Sequence, residues 1–106
     1  MSGRRDWFEY GYLGIESVPA DVVGLYSFWC RNPWKCVYVG QAKRPIRKRL
    51  QDHFDGSHSR ELNQWIRCFG GHLVVCWLEA PREKLDVLEK RFIHRWRPLT
   101  NRQLNR

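Results

Sequence analysis

Six side chains with chemically useful groups follow one another along this chain: Tyr26, Tyr38, Arg49, His53, Glu89 and Asn101. A phenol or an imidazole can transfer a proton. A guanidinium can hold a phosphate through two parallel hydrogen bonds, and a carboxylate binds hard divalent cations. Such groups can act together only when the fold brings them close, so the elements that position them decide whether the set has a function.

Glu89 is unusual because it lies on the apolar stripe of a predicted helix. Leu85, Glu89, Phe92 and Trp96 recur at the i, i+4, i+7 and i+11 spacing of one helix face. Burying an unpaired charge costs several kcal/mol, so such a carboxylate is paired, protonated or bound to a metal. The spacing alone leaves a structural ion pair with a nearby arginine as the alternative.

Arg49 and His53 are four residues apart on an earlier predicted helix that begins at Pro45. Its apolar stripe is formed by Ile46, Leu50 and Phe54. Residues four apart on a helix project from neighbouring positions on one face, so Arg49 and His53 can serve one site. The alternative for Arg49 is a solvated surface residue of a basic segment.

Tyr26 and Tyr38 belong to two predicted strands of an antiparallel hairpin. Residues 22–29 and 36–40 are rich in β-branched and aromatic residues, and the turn-forming residues 31–35 separate them. Adjacent strands can bring the two phenols to one end of a shared face. Two buried core tyrosines are the alternative interpretation.

The remaining patterns complete an α+β (α/β) fold in the order β-β-α-α-β-α. Residues 62–69 have helical spacing and are followed by two glycines, residues 73–78 form an apolar run of strand length, and residues 81–96 form the last helix. The 106 residues suffice for one domain, 1–106, with a three-stranded, mostly antiparallel sheet flanked by helices. We expect residues 1–20 to form an irregular, aromatic arm packed on this domain.

The chain is strongly basic, which indicates a polyanionic partner. Nineteen lysines and arginines against eleven acidic residues give a formal net charge of +8. Basic residues gain nucleic-acid affinity by releasing counterions from phosphates. The basic segment after the hairpin supplies the predicted DNA contacts: Lys43, Arg44, Arg47 and Lys48. A solvated basic surface that keeps a small protein soluble is the alternative.

No apolar stretch approaches the roughly 20 residues that span a bilayer, and the first residues lack the apolar core of a signal peptide. We therefore expect an intracellular protein with no membrane partner. The four cysteines have no Cys-x-x-Cys spacing and are interpreted as small buried hydrophobes. A zinc-stabilised interaction domain is a third class of function.

Five short elements occur in a fixed order: Gly24-Leu25-Tyr26, Tyr38-Val39-Gly40, Arg49 with His53, Glu89, and Asn101. Together they resemble the catalytic signature of the GIY-YIG nuclease family, from about residue 23 to residue 101. The run Arg49-Leu50-x-x-His53-Phe54 is similar to that family's Arg-Leu-x-x-Tyr/His-Phe pattern. The resemblance implies a GIY-YIG-like fold and a metal-dependent DNA endonuclease, a phosphodiester hydrolase.

The same resemblance implies a role for each matching residue. Glu89 would be the sole protein ligand of Mg²⁺ or Mn²⁺, and Arg49 would clamp the scissile phosphate. One tyrosine, usually the one matching Tyr26, would be the general base, while Tyr38 would orient the water or the phosphate. The Asn101 amide would orient the carboxylate and nearby strand ends.

Two departures from the family pattern stand out. The segment from Tyr38 to Arg49 is one residue longer than in relatives, which leaves Arg47 as a second candidate for the phosphate clamp. Many relatives carry a lysine directly after the second motif, where this chain has Gln41, and Lys43 is close enough in sequence to substitute.

The rival interpretation is a non-catalytic DNA-binding module of the same fold. Family members usually carry separate recognition domains, so the resemblance implies either a homodimer or a separate DNA-recognition partner. It leaves the target sequence open. Excision repair, mobile elements, restriction and phage defence all remain candidate settings.

Overall fold

A computed structural model describes residues 3–56 and 60–100 and shows one antiparallel sheet with helices on both faces. The four strands are arranged in the order β1-β4-β2-β3. In chain order the elements are β1 (Arg5–Glu9), α1 (Tyr12–Glu16), β2 (Gly24–Cys30), β3 (Lys35–Ala42), α2 (Ile46–Gly56), α3 (Arg60–Phe69), β4 (Val74–Glu79) and α4 (Leu85–Trp96). Short 3₁₀ turns, Gly70–His72 and Arg82–Lys84, precede β4 and α4.

The predicted α+β fold is confirmed, but the sheet has four strands instead of three. The additional strand is β1, which pairs antiparallel with β4 from Arg5↔Leu78 to Glu9↔Val74. The expectation of an irregular arm over residues 1–20 was therefore wrong, because β1 and α1 lie within it. The partners of β1 lie some seventy residues away, so local sequence gave no signal for it.

The predicted hairpin is present as β2 and β3. Tyr26 lies opposite Gly40 and Phe28 opposite Tyr38, and a bulge follows Phe28. The other neighbour of β2 is β4, where Tyr26 lies opposite Trp77. Strand β3 is thus at the edge of the sheet, close to the end of the described chain.

Each face of the sheet has its own apolar core. Helices α1, α2 and α3 cover one face, with Ile15, Ile46, Leu50 and Leu62 fully buried. Helix α4 covers the other face over β2 and β3, where the buried residues include Leu25, Val39, Leu85 and Ile93. Burying one large aliphatic side chain contributes roughly 1.5–3 kcal/mol, so both helical layers are strongly held.

The predicted stripe of α2 needs one correction. Phe54 is 49% exposed, whereas His53 is only 2% exposed. His53 lies three residues after the buried Leu50, which places it on the same core-facing side of the helix. A polar residue therefore occupies a core position that the apolar pattern assigned to its neighbour.

The segment after α4 returns to the edge strand. Arg97 adopts the left-handed conformation, with φ 49°, and its N–H donates to the carbonyl of Ile93. The backbone N–H groups of Leu99 and Thr100 then donate to the carbonyls of Cys36 and Val37. Among the described residues, no helix has the length and apolarity needed to cross a membrane.

Candidate active site

A buried phenol–imidazole contact lies between the sheet and α2. The hydroxyl of Tyr26 is 2.7 Å from Nε2 of His53, and the two residues are 1% and 2% exposed. The Tyr38 ring packs against both, with ring centroids 6.1 Å from Tyr26 and 5.6 Å from His53. The hairpin and α2 therefore bring together three of the residues selected from the sequence.

Gly40 allows this arrangement because Tyr26 crosses the edge strand directly above it. A Cβ atom at Gly40 would lie 2.5 Å from both Cζ and the hydroxyl oxygen of Tyr26, and 2.9 Å from Cε2 of Tyr38. Such distances are far inside van der Waals contact. The second glycine of the family pattern is therefore required here by a close approach of side chains.

Arg49 completes the cluster from the preceding turn of α2. Its guanidinium hydrogen-bonds the Tyr26 hydroxyl, and its charge also acts on Tyr38. Arginine can only donate, so the Tyr26 oxygen accepts from Arg49. The Tyr26 proton has two neighbouring acceptors, the Tyr38 hydroxyl and Nε2 of His53, and Tyr26 donates to Nε2 when His53 carries its own proton on Nδ1. The buried Nε of Arg49 has no hydrogen-bond partner among residues 3–56 and 60–100.

Burial keeps both phenols protonated at neutral pH. It raises the pKa of Tyr26 well above its usual value of 10, the negative charge of a Tyr38 phenolate would raise it further, and Arg49 offsets only part of the shift. Burial also raises the pKa of Tyr38, with smaller contributions of both signs from neighbouring groups. A free Tyr26 phenolate is therefore not the resting state of this cluster.

Arg47, the second candidate for a phosphate clamp, points elsewhere. Its Nε donates to the carbonyl of Val18 at 2.7 Å, and a terminal nitrogen donates to the carbonyl of Glu16 at 3.0 Å. These contacts fasten α2 to α1 and its following turn. Arg47 is thus separated from the Tyr26 cluster, whereas Arg49 is part of it.

Glu89 lies half-buried on α4, on the other side of the edge strand, and Gln41 holds it there. Nε2 of Gln41 donates to Oε1 of Glu89 at 2.9 Å and to Oδ1 of Asp86 at 2.7 Å. Lys43 lies 4.0 Å from Asp86. Burial raises the pKa of Glu89; Asp86 also raises it, while Gln41 and Lys43 oppose the shift.

The two halves of the site meet at β3. Alternate residues of that strand point to opposite faces, so Tyr38 and Gly40 face α2 while Gln41 faces α4. The charge of Glu89 is close enough to Tyr38 to raise the pKa of that phenol. The edge of the sheet therefore carries phenols, a guanidinium and a carboxylate in electrostatic contact.

A polar pocket of about 430 Å³ opens beside this edge. It is lined by Gln41, Ala42, Lys43, Arg44, Lys48, Arg49 and Asp52. Three of the four predicted DNA-contacting residues line it, and Arg47 does not. Lys48 is partly neutralised by Asp52, whose carboxylate is 3.2 Å away. The pocket joins the exposed basic surface to the Arg49 guanidinium.

The sequence did not identify Gln41 and Asp86 as parts of the site. Asn101, which the sequence did identify, lies outside the described residues. Gln41 was noted only as a departure from the family pattern, and Asp86 was not singled out at all. The i, i+3 spacing of Asp86 and Glu89 was the one local signal for a second carboxylate. Asn101 follows the last described residue, Thr100.

The oxygen donors at this edge fit a hard divalent cation with few protein ligands. The described residues contain no group of three or more His, Cys, Asp or Glu side chains that could hold a metal. Glu89 instead offers one half-buried carboxylate, and Oε1 of Gln41 beside it is buried without a hydrogen-bond partner in the described chain. Mg²⁺ typically takes one or two carboxylates and keeps several waters. All four cysteines are free thiols.

No protein-family model and no curated protein matches this chain. Two solved structures do, both of the GIY-YIG N-terminal endonuclease domain of UvrC from Thermotoga maritima. Each is a point mutant in which a phenylalanine replaces a tyrosine, and each is bound to the catalytic divalent cation. Both are 22% identical to this chain and cover 82% of it and 89% of the solved chain.

The TM-scores of the two superpositions are 0.63 and 0.62. The similarity spans most of both chains, and it agrees with the resemblance seen in the five sequence motifs. At this level of identity the likeness establishes the architecture. The chain therefore has the fold of the GIY-YIG endonuclease domains.

Proposed function

We propose that this protein is a metal-dependent endonuclease that hydrolyses a DNA phosphodiester bond. The observation that carries the proposal is the convergence of the Tyr26–His53–Arg49 cluster and Glu89 at one sheet edge, beside a basic pocket. A module that only binds DNA needs the basic surface. It does not need a buried phenol–imidazole contact or a half-buried carboxylate.

The basic residues bind the DNA backbone, and Arg49 holds the scissile phosphate. Lys43, Arg44 and Lys48 line the pocket and offer sequence-independent phosphate contacts. Arg49 has five N–H donors, and the Tyr26 oxygen is one acceptor for them. The donors left over, including its unpaired Nε, are available for phosphate oxygens and stabilise the charge that builds up in the transition state.

Glu89 is the residue that would hold Mg²⁺ or Mn²⁺, through the carboxylate oxygen that Gln41 leaves unbonded. When bound, such a cation polarises the phosphate and lowers the pKa of a bound water. The solved domains that resemble this chain contain a catalytic divalent cation, which supports the choice of cofactor class. Asn101, which follows Thr100 at the β3 edge, is proposed to orient the Glu89 carboxylate with its amide.

Tyr26 and His53 together accept the proton of the attacking water. The water gives a proton to the Tyr26 oxygen, and the original Tyr26 proton passes to Nε2 of His53, 2.7 Å away. The water oxygen forms a bond to phosphorus, the P–O bond to the departing sugar oxygen breaks, and that oxygen leaves with a proton from solvent. Tyr38, which is less buried than Tyr26, orients the water or the phosphate.

One active site per chain predicts a cut in one strand unless two copies assemble or a separate partner recruits the protein. We infer that the substrate is intracellular DNA. The similarity to a UvrC domain supports DNA repair as a setting, and mobile elements and phage defence are further candidates.

Cleavage of supercoiled plasmid, with Mg²⁺, Mn²⁺ or chelator present, tests the proposal. Conversion to the nicked circle that requires a divalent cation is expected. A protein that shifts the plasmid in a gel under every condition and never cuts it would instead be the DNA-binding module.

A further inference from the structure

Gln41 connects two carboxylates of α4 through a single amide nitrogen. Its Nε2 lies 2.9 Å from Oε1 of Glu89 and 2.7 Å from Oδ1 of Asp86. The two acidic residues are three positions apart on one helix face, and the glutamine reaches them from the edge strand. This bridge ties Glu89 to the edge strand β3.

The orientation of that amide is fixed by its partners. A carboxylate accepts hydrogen bonds and cannot donate, so two carboxylates both require the NH₂ end of Gln41. With Glu89 alone, the amide would have one hydrogen-bonded N–H and one spare. Asp86 takes the spare N–H, which locks the amide and leaves its carbonyl oxygen buried without a partner in the described chain.

We propose that Gln41 is a positioning residue that fixes the Glu89 carboxylate for metal binding, and that Asp86 acts through Gln41 by fixing the amide. The inference rests on the proposed role of Glu89 as the metal ligand. Outer partners that orient a ligand typically change metal affinity or activity by 10- to 100-fold when removed. Gln41 is the neutral group suited to this task, because it orients a carboxylate without cancelling its charge.

The test is Mn²⁺ affinity, measured from the free-ion electron paramagnetic resonance signal in the absence of DNA. The set comprises wild type, Glu89→Gln, Gln41→Ala, Asp86→Ala and the double variant Gln41→Ala/Asp86→Ala. Gln64→Ala is the matched control, because Gln64 is an exposed glutamine on α3. We expect no measurable site in Glu89→Gln, affinity about 10- to 100-fold weaker in Gln41→Ala, and wild-type affinity in Gln64→Ala.

The double variant separates positioning from simple charge. If Asp86 acts through Gln41, the double variant binds Mn²⁺ no more weakly than Gln41→Ala does. Additive losses would show that Asp86 attracts the cation directly, which overturns its assigned role. In addition, Gln41→Ala should regain most of its cleavage rate at saturating Mn²⁺, since the defect lies in affinity.

A second readout needs no metal. The side-chain NH₂ protons of Gln41 should give two resolved, shifted nuclear magnetic resonance signals that collapse toward those of Gln64 in Glu89→Ala/Asp86→Ala. If wild type binds Mn²⁺ through Glu89 while Gln41→Ala binds it equally well, the positioning role is wrong and the proposed function stands. If wild type binds no Mn²⁺ at all, both fail.

Discussion

The Tyr26 phenol is buried deeply enough that it needs a proton acceptor of its own. In a solvated tyrosine with a pKa near 10, the fraction of reactive phenolate increases as the pH rises. Here burial raises the pKa of Tyr26 far above that range, and the charge of Arg49 does not restore it. In the proposed mechanism, His53 at 2.7 Å is the group that lets Tyr26 take a proton without first becoming a free phenolate.

Tyr26→Phe should therefore remove nearly all cleavage while the protein folds normally, since only a hydroxyl is lost from a ring that still packs. Tyr38→Phe should be milder, because we assign its hydroxyl to orientation. Single-turnover cleavage by both variants is the measurement, with Tyr12→Phe as the control because Tyr12 is 63% exposed. A Tyr26→Phe enzyme with the wild-type rate would move the base to Tyr38, Lys43 or His53.

The Glu89 carboxylate gives the site its sensitivity to acid. Burial and then Asp86 raise its pKa above the usual 4.5, and a protonated Glu89 cannot hold a cation. Mn²⁺ binding should thus weaken as the pH falls through the raised pKa of Glu89, which lies above the pKa of an exposed glutamate. Asp86→Asn removes a charge that raises the pKa, so it should shift this acid limb to lower pH. If the acid side of the Mn²⁺-binding profile were the same in Asp86→Asn and wild type, Glu89 would not be the group that titrates there.

Helix α2 carries two arginines with different roles. Arg49 belongs to the proposed site, whereas Arg47 holds α2 to α1 and the turn that follows it. Arg49→Ala should reduce the rate by about 10²- to 10³-fold with little change in stability, because it removes a preorganised charge. Arg47→Ala should leave the rate of the folded protein unchanged and cost about 2 kcal/mol of unfolding free energy, because it breaks bonds to two carbonyls. Thermal unfolding and single-turnover cleavage of both variants are the measurements. A large loss of rate in Arg47→Ala and a loss of stability alone in Arg49→Ala would show that the helix register is wrong.

Gly40 of the edge strand leaves room for the Tyr26 ring, which crosses the strand above it. Gly40→Ala should displace the Tyr26 ring, lower stability by roughly 1–3 kcal/mol and abolish most cleavage, since the added Cβ would overlap the phenol. Gly71→Ala is the control, because a Cβ there would meet nothing within 4 Å. Equal activity in the two variants would mean that Tyr26 does not need its position over β3.

Periodicity in the sequence was enough to predict the hairpin, α2, α3, β4 and α4, because each has a clear local pattern of apolar residues. Strand β1 was missed because its stability comes from pairing with β4 and from Arg4, whose side chain and backbone N–H bond Glu79. The bridge by Gln41 was missed for the same physical reason. It joins residues 45 and 48 positions apart, and no local rule pairs a strand glutamine with helix carboxylates.

For the whole molecule, charge predicts the kind of substrate but not its sequence. The chain has a formal net charge of +8, and both the basic pocket beside Arg49 and the exposed Lys90, Arg91 and Arg95 of α4 offer phosphate contacts. We identify no element that reads base edges within the described chain.

The measurement that tests the account most directly is plasmid cleavage by Glu89→Gln. This variant keeps the shape of the side chain and removes a charge that burial disfavours, so it should fold at least as stably as wild type. Glu83→Gln is the control, because Glu83 is an exposed carboxylate in the turn before α4. The account predicts that Glu89→Gln binds DNA normally and does not cut it with Mg²⁺ or Mn²⁺, while Glu83→Gln cuts like wild type. Metal-dependent nicking by Glu89→Gln at near the wild-type rate would contradict it.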